Sequence, residues 1–192
     1  MELDGREVAL PVVALASLGL GAQDPVPPHL HSRVAELARI ELTCQSALRA
    51  LAGRARTRAD LRRFLLERDH APAAVDTALE RLAARGWLDD RRFAEEFAVR
   101  RARGRGPDRL VLDLLRHGVE RSVAEAAVRT ALAEAGADVE GEAEALARRR
   151  ATQLDGLAPA VRKRRLLAYL ARRGYRGAPI TAVVDALCRT SA

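Results

Sequence analysis

The sequence has few aromatic residues, few cysteines and almost no lysine, and these scarcities narrow the classes of protein it can encode. Aromatic residues make up 3% of the chain, and the runs of β-branched and aromatic residues that build strands are nearly absent. Alanine, leucine and arginine dominate instead, and all three are strong helix formers. Because 48% of the residues are hydrophobic, the chain can bury a core, and we predict an all-α protein.

The scarcity of cysteine and histidine argues against metal and redox chemistry. Cys44 and Cys188 lie far apart and have neither metal-ligand nor redox spacing, and the four histidines do not pair with them. We interpret the cysteines as buried structural thiols in a reducing cytoplasm. The sequence indicates no metal site, no cofactor and no catalytic constellation, so an enzyme is not expected.

Long hydrophobic runs are also missing. The apolar stretch at residues 8–22 is too short to span a bilayer and contains Pro11. The residues before it carry a net negative charge, whereas the start of a signal peptide is positive. We expect residues 1–31 to form a disordered leader and linker, and we expect a cytoplasmic protein without membrane association.

The positive charge is supplied almost entirely by arginine, since Lys163 is the single lysine. Residues 1–53 carry four arginines and six carboxylates, a net charge of −2. Because the whole chain carries +7, residues 54–192 carry +9. An excess of this size suggests a polyanionic or acidic partner.

Pairs of leucines four residues apart recur along the basic part of the chain, at offsets of 49 and 56 residues. The pairs are Leu61/Leu65, Leu110/Leu114 and Leu166/Leu170. Four residues after each second leucine stands Asp69, Gly118 or Gly174, and the two glycines suit a helix end. Small helical units that repeat in this way stack into elongated arrays.

We therefore predict an elongated array of three tandem three-helix repeats, the last of which is truncated. The predicted segments are a lead-in helix at 32–54, repeat 1 at 55–103, repeat 2 at 104–156 and a partial repeat 3 at 157–192.

The segment from Gly86 to Ala94 joins two of the predicted helices. Two adjacent carboxylates, Asp89 and Asp90, suit a helix start because a helix N-terminus favours acids. A metal or acid–base site is the weaker interpretation, since no other carboxylate or histidine converges on them in sequence. We predict that Trp87 and Phe93 pack between helices; base stacking by Trp87 is the alternative.

Two basic clusters are the candidate contact sites. The first brackets a glycine-containing loop and consists of Arg100, Arg101, Arg103, Arg105 and Arg109. The second is Arg162, Lys163, Arg164 and Arg165. Each is either a solvated helix face or a contact with nucleic acid or with an acidic protein groove. The second helix of the first repeat begins with alanine and acids, so sequence-specific base reading is not expected.

Three stretches of the chain resemble the motifs of a known family. The motif residues are the string Arg54–Leu61; Leu82 with Gly86-Trp87-Leu88-Asp89-Asp90 and Phe93-Ala94; and Gly106-Pro107, Leu110, Leu114 and Gly118-Val119. From about Gln45 to Leu187 these residues resemble the RecX family, the regulators of the RecA recombinase. Trp87 departs from the pattern, because the family more often has a smaller apolar residue there, and residues 1–30 lie outside the resemblance.

The resemblance implies a non-enzymatic protein of three three-helix repeats. Members of this kind bind the groove of the RecA–DNA filament, bridge protomers and restrain filament extension, ATPase activity and strand exchange. On charge alone, the two basic clusters would make the filament contacts, while Trp87, Leu88, Asp89, Asp90, Phe93 and Ala94 would be structural. We expect a monomer that binds single- or double-stranded DNA weakly and without sequence preference. The alternative is a helical nucleic-acid-binding protein that acts without RecA.

Overall fold

Almost every described residue of the protein lies in a helix or in a short connection between helices. The computed structural model describes residues 2–3, 6–7, 10–21, 24–102 and 104–189. Its helices are α1 Val12–Ala16, α2 His31–Gly53, α3 Arg58–Leu66, α4 Pro72–Ala84, α5 Asp90–Arg101, α6 Pro107–Arg116, α7 Arg121–Glu134, α8 Val139–Ala151, α9 Pro159–Arg172 and α10 Ala178–Arg189, with 3₁₀ turns at Pro28–Leu30 and Thr152–Leu154. Two two-residue strands, β1 Glu2–Leu3 and β2 Arg6–Glu7, pair antiparallel. The all-α prediction is confirmed.

The first compact unit comprises Met1–Asp90. Its main core is formed by α2, α3 and α4, with leucines of α3 and α4 packed around Ala47 and Ala50 of α2. A smaller cluster joins α2 to α4 through Ile40 and Cys44. Burial raises the pKa of the Cys44 thiol, so this cysteine is a core residue, as predicted. Cys188, which was also predicted to be buried, is only half-buried.

The second compact unit comprises Arg91–Ala192 and contains two three-helix clusters. In the first cluster α5, α6 and α7 bury Phe93 and Phe97 against the leucines of α6 and the alanines of α7. In the second, α8, α9 and α10 surround Tyr175. The Tyr175 hydroxyl donates a 2.9 Å hydrogen bond to Glu142 Oε2. Burial and this carboxylate raise the Tyr175 pKa, so the hydroxyl stays protonated and keeps the bond.

The leucine pairs mark structurally equivalent helices. All six leucines are completely buried, and the helix that carries each pair ends in the same way. Asp69, Gly118 and Gly174 have φ values of 60°, 78° and 89°. The N–H of the following residue donates to the carbonyl of the second leucine; these bonds are His70 to Leu65, Val119 to Leu114 and Tyr175 to Leu170. This helix-ending arrangement uses a left-handed residue each time, and it confirms the predicted repeat.

The three-helix units begin and end at other helices than the sequence predicted. The helices that pack together are α2–α3–α4, α5–α6–α7 and α8–α9–α10. The predicted lead-in helix is thus the first helix of the first unit, and the predicted partial repeat gains α8 and has three helices. A periodic pattern fixes the spacing of a repeat but not its starting point. The first helix of the last cluster, α8, buries only Ala143, Ala147 and Ala151, so its core face is a weak sequence signal.

The leader contains local structure in its described part. Residues 12–16 form α1, in which Leu15 is buried while Val12 and Val13 are largely exposed. None of the helices in the described ranges is long and apolar enough to cross a membrane.

Candidate interaction surfaces

The segment from Gly86 to Ala94 ends α4 and begins α5. Gly86 adopts a φ of 71°, and the next N–H, that of Trp87, donates to the carbonyl of Leu82. The prediction that Trp87 packs between helices is wrong, because 51% of the residue is exposed. The turn carries its ring to the surface, where the Arg85 guanidinium lies 5.6 Å from the ring centre. Leu88, the next residue, is buried instead.

Asp90 caps a helix other than its own. It is the first residue of α5, and its Oδ1 accepts a 2.8 Å hydrogen bond from the N–H of Arg58, the first residue of α3. The same helix end is capped by Thr57 Oγ1, which accepts from the N–H of Asp60. Among the described residues no His, Cys, Asp or Glu cluster could hold a metal ion. The position of the Asp90 side chain thus favours capping over a metal or acid–base site.

Replacing Asp90 with alanine is expected to lower the free energy of unfolding by about 1 kcal/mol, the usual loss for a helix cap. The Arg58 N–H would lose its acceptor. Asp90→Asn is the matched control. Its amide oxygen can still accept the hydrogen bond, so this variant should retain most of the stability. Urea unfolding followed by far-UV circular dichroism measures both variants. Equal losses for alanine and asparagine would contradict the capping role.

The first basic cluster is largely engaged within the protein. Arg105 Nη1 and Arg109 Nε lie 2.8 Å and 3.2 Å from carboxylate oxygens of Asp113, and Arg116 lies 3.4 Å from the same carboxylate. The Asp113 side chain, on α6, is only 12% exposed. These arginines therefore stabilise a buried carboxylate, and they do not form an open phosphate site.

The remaining members of this cluster lie at the end of α5. Arg100 pairs with Glu96 at 3.4 Å, and the Arg101 guanidinium stacks 4.2 Å from the centre of the Phe97 ring. Arg103 lies outside the described residues. The described members of this cluster therefore do not form one continuous surface of unpaired arginines.

The second basic cluster divides by helix face. Arg162 lies four residues before buried Leu166, so it points toward the core side of α9; its side chain is 12% exposed and pairs with Asp155 at 3.3 Å. Lys163 pairs with Asp185 of α10 at 2.5 Å. Arg164 and Arg165 are exposed and form no ion pair within the described part of the chain. Two of the four predicted contact residues are thus available to a partner.

A groove in the second unit was missed by sequence reasoning. Its volume is about 1000 Å³, and its walls come from α6, α7 and the end of α9. The apolar lining residues are Val111, Leu112, Leu115, Val128 and Leu132, and the arginines are Arg109, Arg121, Arg129, Arg172 and Arg176. One signal was present: α6 carries Leu112 and Leu115 in addition to the core pair, so its apolar surface is wider than one core face requires.

A close backbone approach sets one wall of the groove. The N–H of Gly106 donates to the carbonyl of Arg173 at 3.0 Å, and the N–H of Asp108 donates to the carbonyl of Gly174 at 3.2 Å. A Cβ on Gly106 would lie 2.3 Å from the carbonyl carbon of Gly174. The two glycines therefore allow the start of α6 to touch the turn after α9, which places Arg172 beside α6.

The fold defines a class: an all-helical protein built from repeated three-helix units. Three family models match the chain in the order of its repeats. They are the first RecX three-helix domain at residues 45–82, the second at 89–128 and the third at 138–184. Each matched range lies on one of the three packed clusters, α2–α3–α4, α5–α6–α7 or α8–α9–α10.

Named relatives agree with the family models. The chain is 40% identical over 164 residues to "Regulatory protein RecX" of Mycobacterium leprae (strain Br4923), covering 83% of this chain and 90% of the relative. It is 36% identical over 152 residues to the protein of that name from Halorhodospira halophila, covering 78% and 90%.

Two solved structures show the same fold. One is described as a regulatory protein RecX, with a TM-score of 0.75, 19% identity, and coverage of 96% of this chain and 92% of that one. The other is RecX from Lactobacillus salivarius, with a TM-score of 0.63, 20% identity, and coverage of 78% and 96%. The chain belongs to the RecX family of regulatory proteins.

Proposed function

We propose that this protein is a non-enzymatic negative regulator of the RecA recombinase. It binds RecA–DNA filaments and restrains their extension, ATPase activity and strand exchange, and so modulates DNA repair and recombination. It acts as a monomer, and its own contacts with DNA are weak and independent of sequence.

The observation that carries this proposal is that matches to all three RecX domains follow one another along the chain, each on its own helical cluster. A second observation supports it. Arg164 and Arg165 are exposed and unpaired in the described part of the protein, and arginine binds both phosphates and carboxylates through a planar fork of donors. A nucleoprotein filament offers both kinds of acceptor.

The test is to titrate the protein into RecA on single-stranded DNA and to follow ATP hydrolysis and strand exchange. Both rates should fall as the protein approaches a stoichiometric ratio to RecA. Pre-assembled filaments and filaments still growing should be compared, because restraint of extension affects the growing ones more. Unchanged ATPase and strand exchange at stoichiometric amounts would exclude this function.

A second candidate function is nucleic-acid binding without RecA, and the exposed Trp87 favours it. An exposed aromatic ring beside Arg85 could stack on a base. In that case bare single-stranded DNA would bind as tightly as the RecA filament, and Trp87→Ala would weaken both interactions. Under the main proposal the filament binds more tightly and Trp87→Ala leaves filament binding nearly unchanged.

A further inference from the structure

The groove between α6, α7 and the end of α9 leaves apolar surface open to water. Leu112, on its floor, is 43% exposed, although an aliphatic side chain of this size gains free energy on burial. Four more aliphatic residues line the same groove: Val128 is buried, while Val111, Leu115 and Leu132 are half-buried. A concave surface that combines aliphatic and charged residues is the form of site that accepts an amphipathic helix.

The five arginines around this floor differ in whether a carboxylate pairs with them. Three of the five arginines have carboxylate partners in the protein, since Arg109 contacts Asp113, Arg121 contacts Glu125 and Arg176 approaches Asp108. The other two are exposed and form no ion pair within the described ranges; they are Arg129 on α7 and Arg172 at the end of α9. The groove therefore combines an apolar floor with two uncompensated positive charges on its walls.

The composition of the floor discriminates between two classes of partner. Single-stranded nucleic acid binds on aromatic side chains that stack with its bases, and none of the residues lining this groove is aromatic. Aliphatic floors instead accept the apolar stripe of an amphipathic helix, which contributes residues at i, i+3, i+4 and i+7. Carboxylates beside that stripe would meet the unpaired arginines.

We propose that this groove is a docking site for an acidic amphipathic helix of a partner protein. The apolar stripe of the helix covers Leu112 and its aliphatic neighbours, while its carboxylates pair with Arg129 and Arg172. The inference goes beyond the regulation of RecA, because it concerns the chemistry of one groove and does not require the filament.

The test uses the whole protein and a synthetic labelled peptide. The peptide has about 16 residues, with leucines at helical spacing along one face and glutamates on the rest. Binding is followed by fluorescence anisotropy, and a scrambled peptide of the same composition and charge lacks the stripe. We expect the patterned peptide to bind at least about tenfold more tightly than the scrambled one, a difference of about 1.4 kcal/mol.

Matched variants locate the site. Arg129→Glu with Arg172→Glu should weaken binding at least about tenfold. Arg164→Glu with Arg165→Glu makes the same charge change outside the groove lining and should change affinity less than about twofold. Leu112→Ser should weaken binding, whereas Val99→Ser, at a residue of α5 that is 59% exposed, should not. Circular dichroism checks that each variant retains its helices.

Several results would overturn the proposal. Equal losses from the two double variants would show attraction by net charge alone, and equal binding of the two peptides would show that the apolar floor plays no part. Binding of a labelled oligothymidylate that is lost in Arg129→Glu/Arg172→Glu, with peptide binding unaffected, would assign the groove to nucleic acid. Since none of these assays contains RecA, their failure is separate from failure of the regulatory function.

Discussion

Replacing Gly174 with alanine is expected to lower the free energy of unfolding by about 3 kcal/mol. The loss has two parts. A non-glycine residue in the left-handed region costs about 1 kcal/mol, and Gly174 has a φ of 89°. Its Cβ would also lie 2.4 Å from the backbone nitrogen of Arg109 and 2.8 Å from the carbonyl oxygen of Gly106. Backbone atoms cannot rotate away, so α6 and the turn after α9 must separate, which adds about 2 kcal/mol.

Gly136→Ala provides the matched control for Gly174→Ala. Gly136 also follows a helix in the second unit and has a φ of 57°, but a Cβ there would meet nothing within 4 Å. Its substitution should therefore cost only the conformational part, about 1 kcal/mol. Urea unfolding of the full chain, followed by circular dichroism, compares the two variants. Similar losses for both would mean that the close contact with α6 contributes little to stability.

Reversing the charge of Arg164 and Arg165 together is expected to weaken inhibition of RecA by at least about tenfold at moderate salt. Each arginine that contacts a phosphate contributes to a binding constant that falls steeply with salt, and glutamate at the same position repels the phosphate. Both side chains are exposed and outside the ion pairs of the described protein. Their replacement should therefore leave the fold intact. The measurement is the protein concentration that halves the DNA-dependent ATPase rate of RecA.

The choice of these two residues follows from the structure. Replacing all four residues 162–165 would also remove the contacts of Arg162 with Asp155 and of Lys163 with Asp185, and would confuse loss of stability with loss of binding. Arg54→Glu with Arg58→Glu is the charge-matched control in the first unit. Both of these arginines are exposed and lack ion pairs in the described structure. If the control variant loses as much inhibition as the α9 variant, net charge and not the α9 face controls the interaction.

The helical repeat could be predicted from the sequence because its signal is local. Leucines four residues apart share one helix face, and a left-handed residue four positions after the second leucine ends the helix, as Gly118 does after Leu114. The start of the last unit was less predictable, since its first helix, α8, buries alanines such as Ala143 and Ala147. Alanine is common in buried and exposed helix positions, so it does not mark the core face.

The candidate contact surface was only partly predictable. A run of arginines shows positive charge but does not show which partner each side chain finds in the fold. Arg105 meets a carboxylate eight residues further along the chain, and Arg162 is covered by the packing of α9. The groove required knowledge of which helices lie side by side, because Arg129 and Arg172 are far apart in sequence.

The most direct measurement is the affinity of this protein for RecA filaments on single-stranded DNA, compared with its affinity for the same DNA without RecA. Both should be determined over a range of salt concentrations. We expect tighter binding to the filament at every salt concentration, with affinity that decreases as salt rises because arginines make part of the contact. Equal affinity for filament and bare DNA, or no binding to the filament, would contradict it.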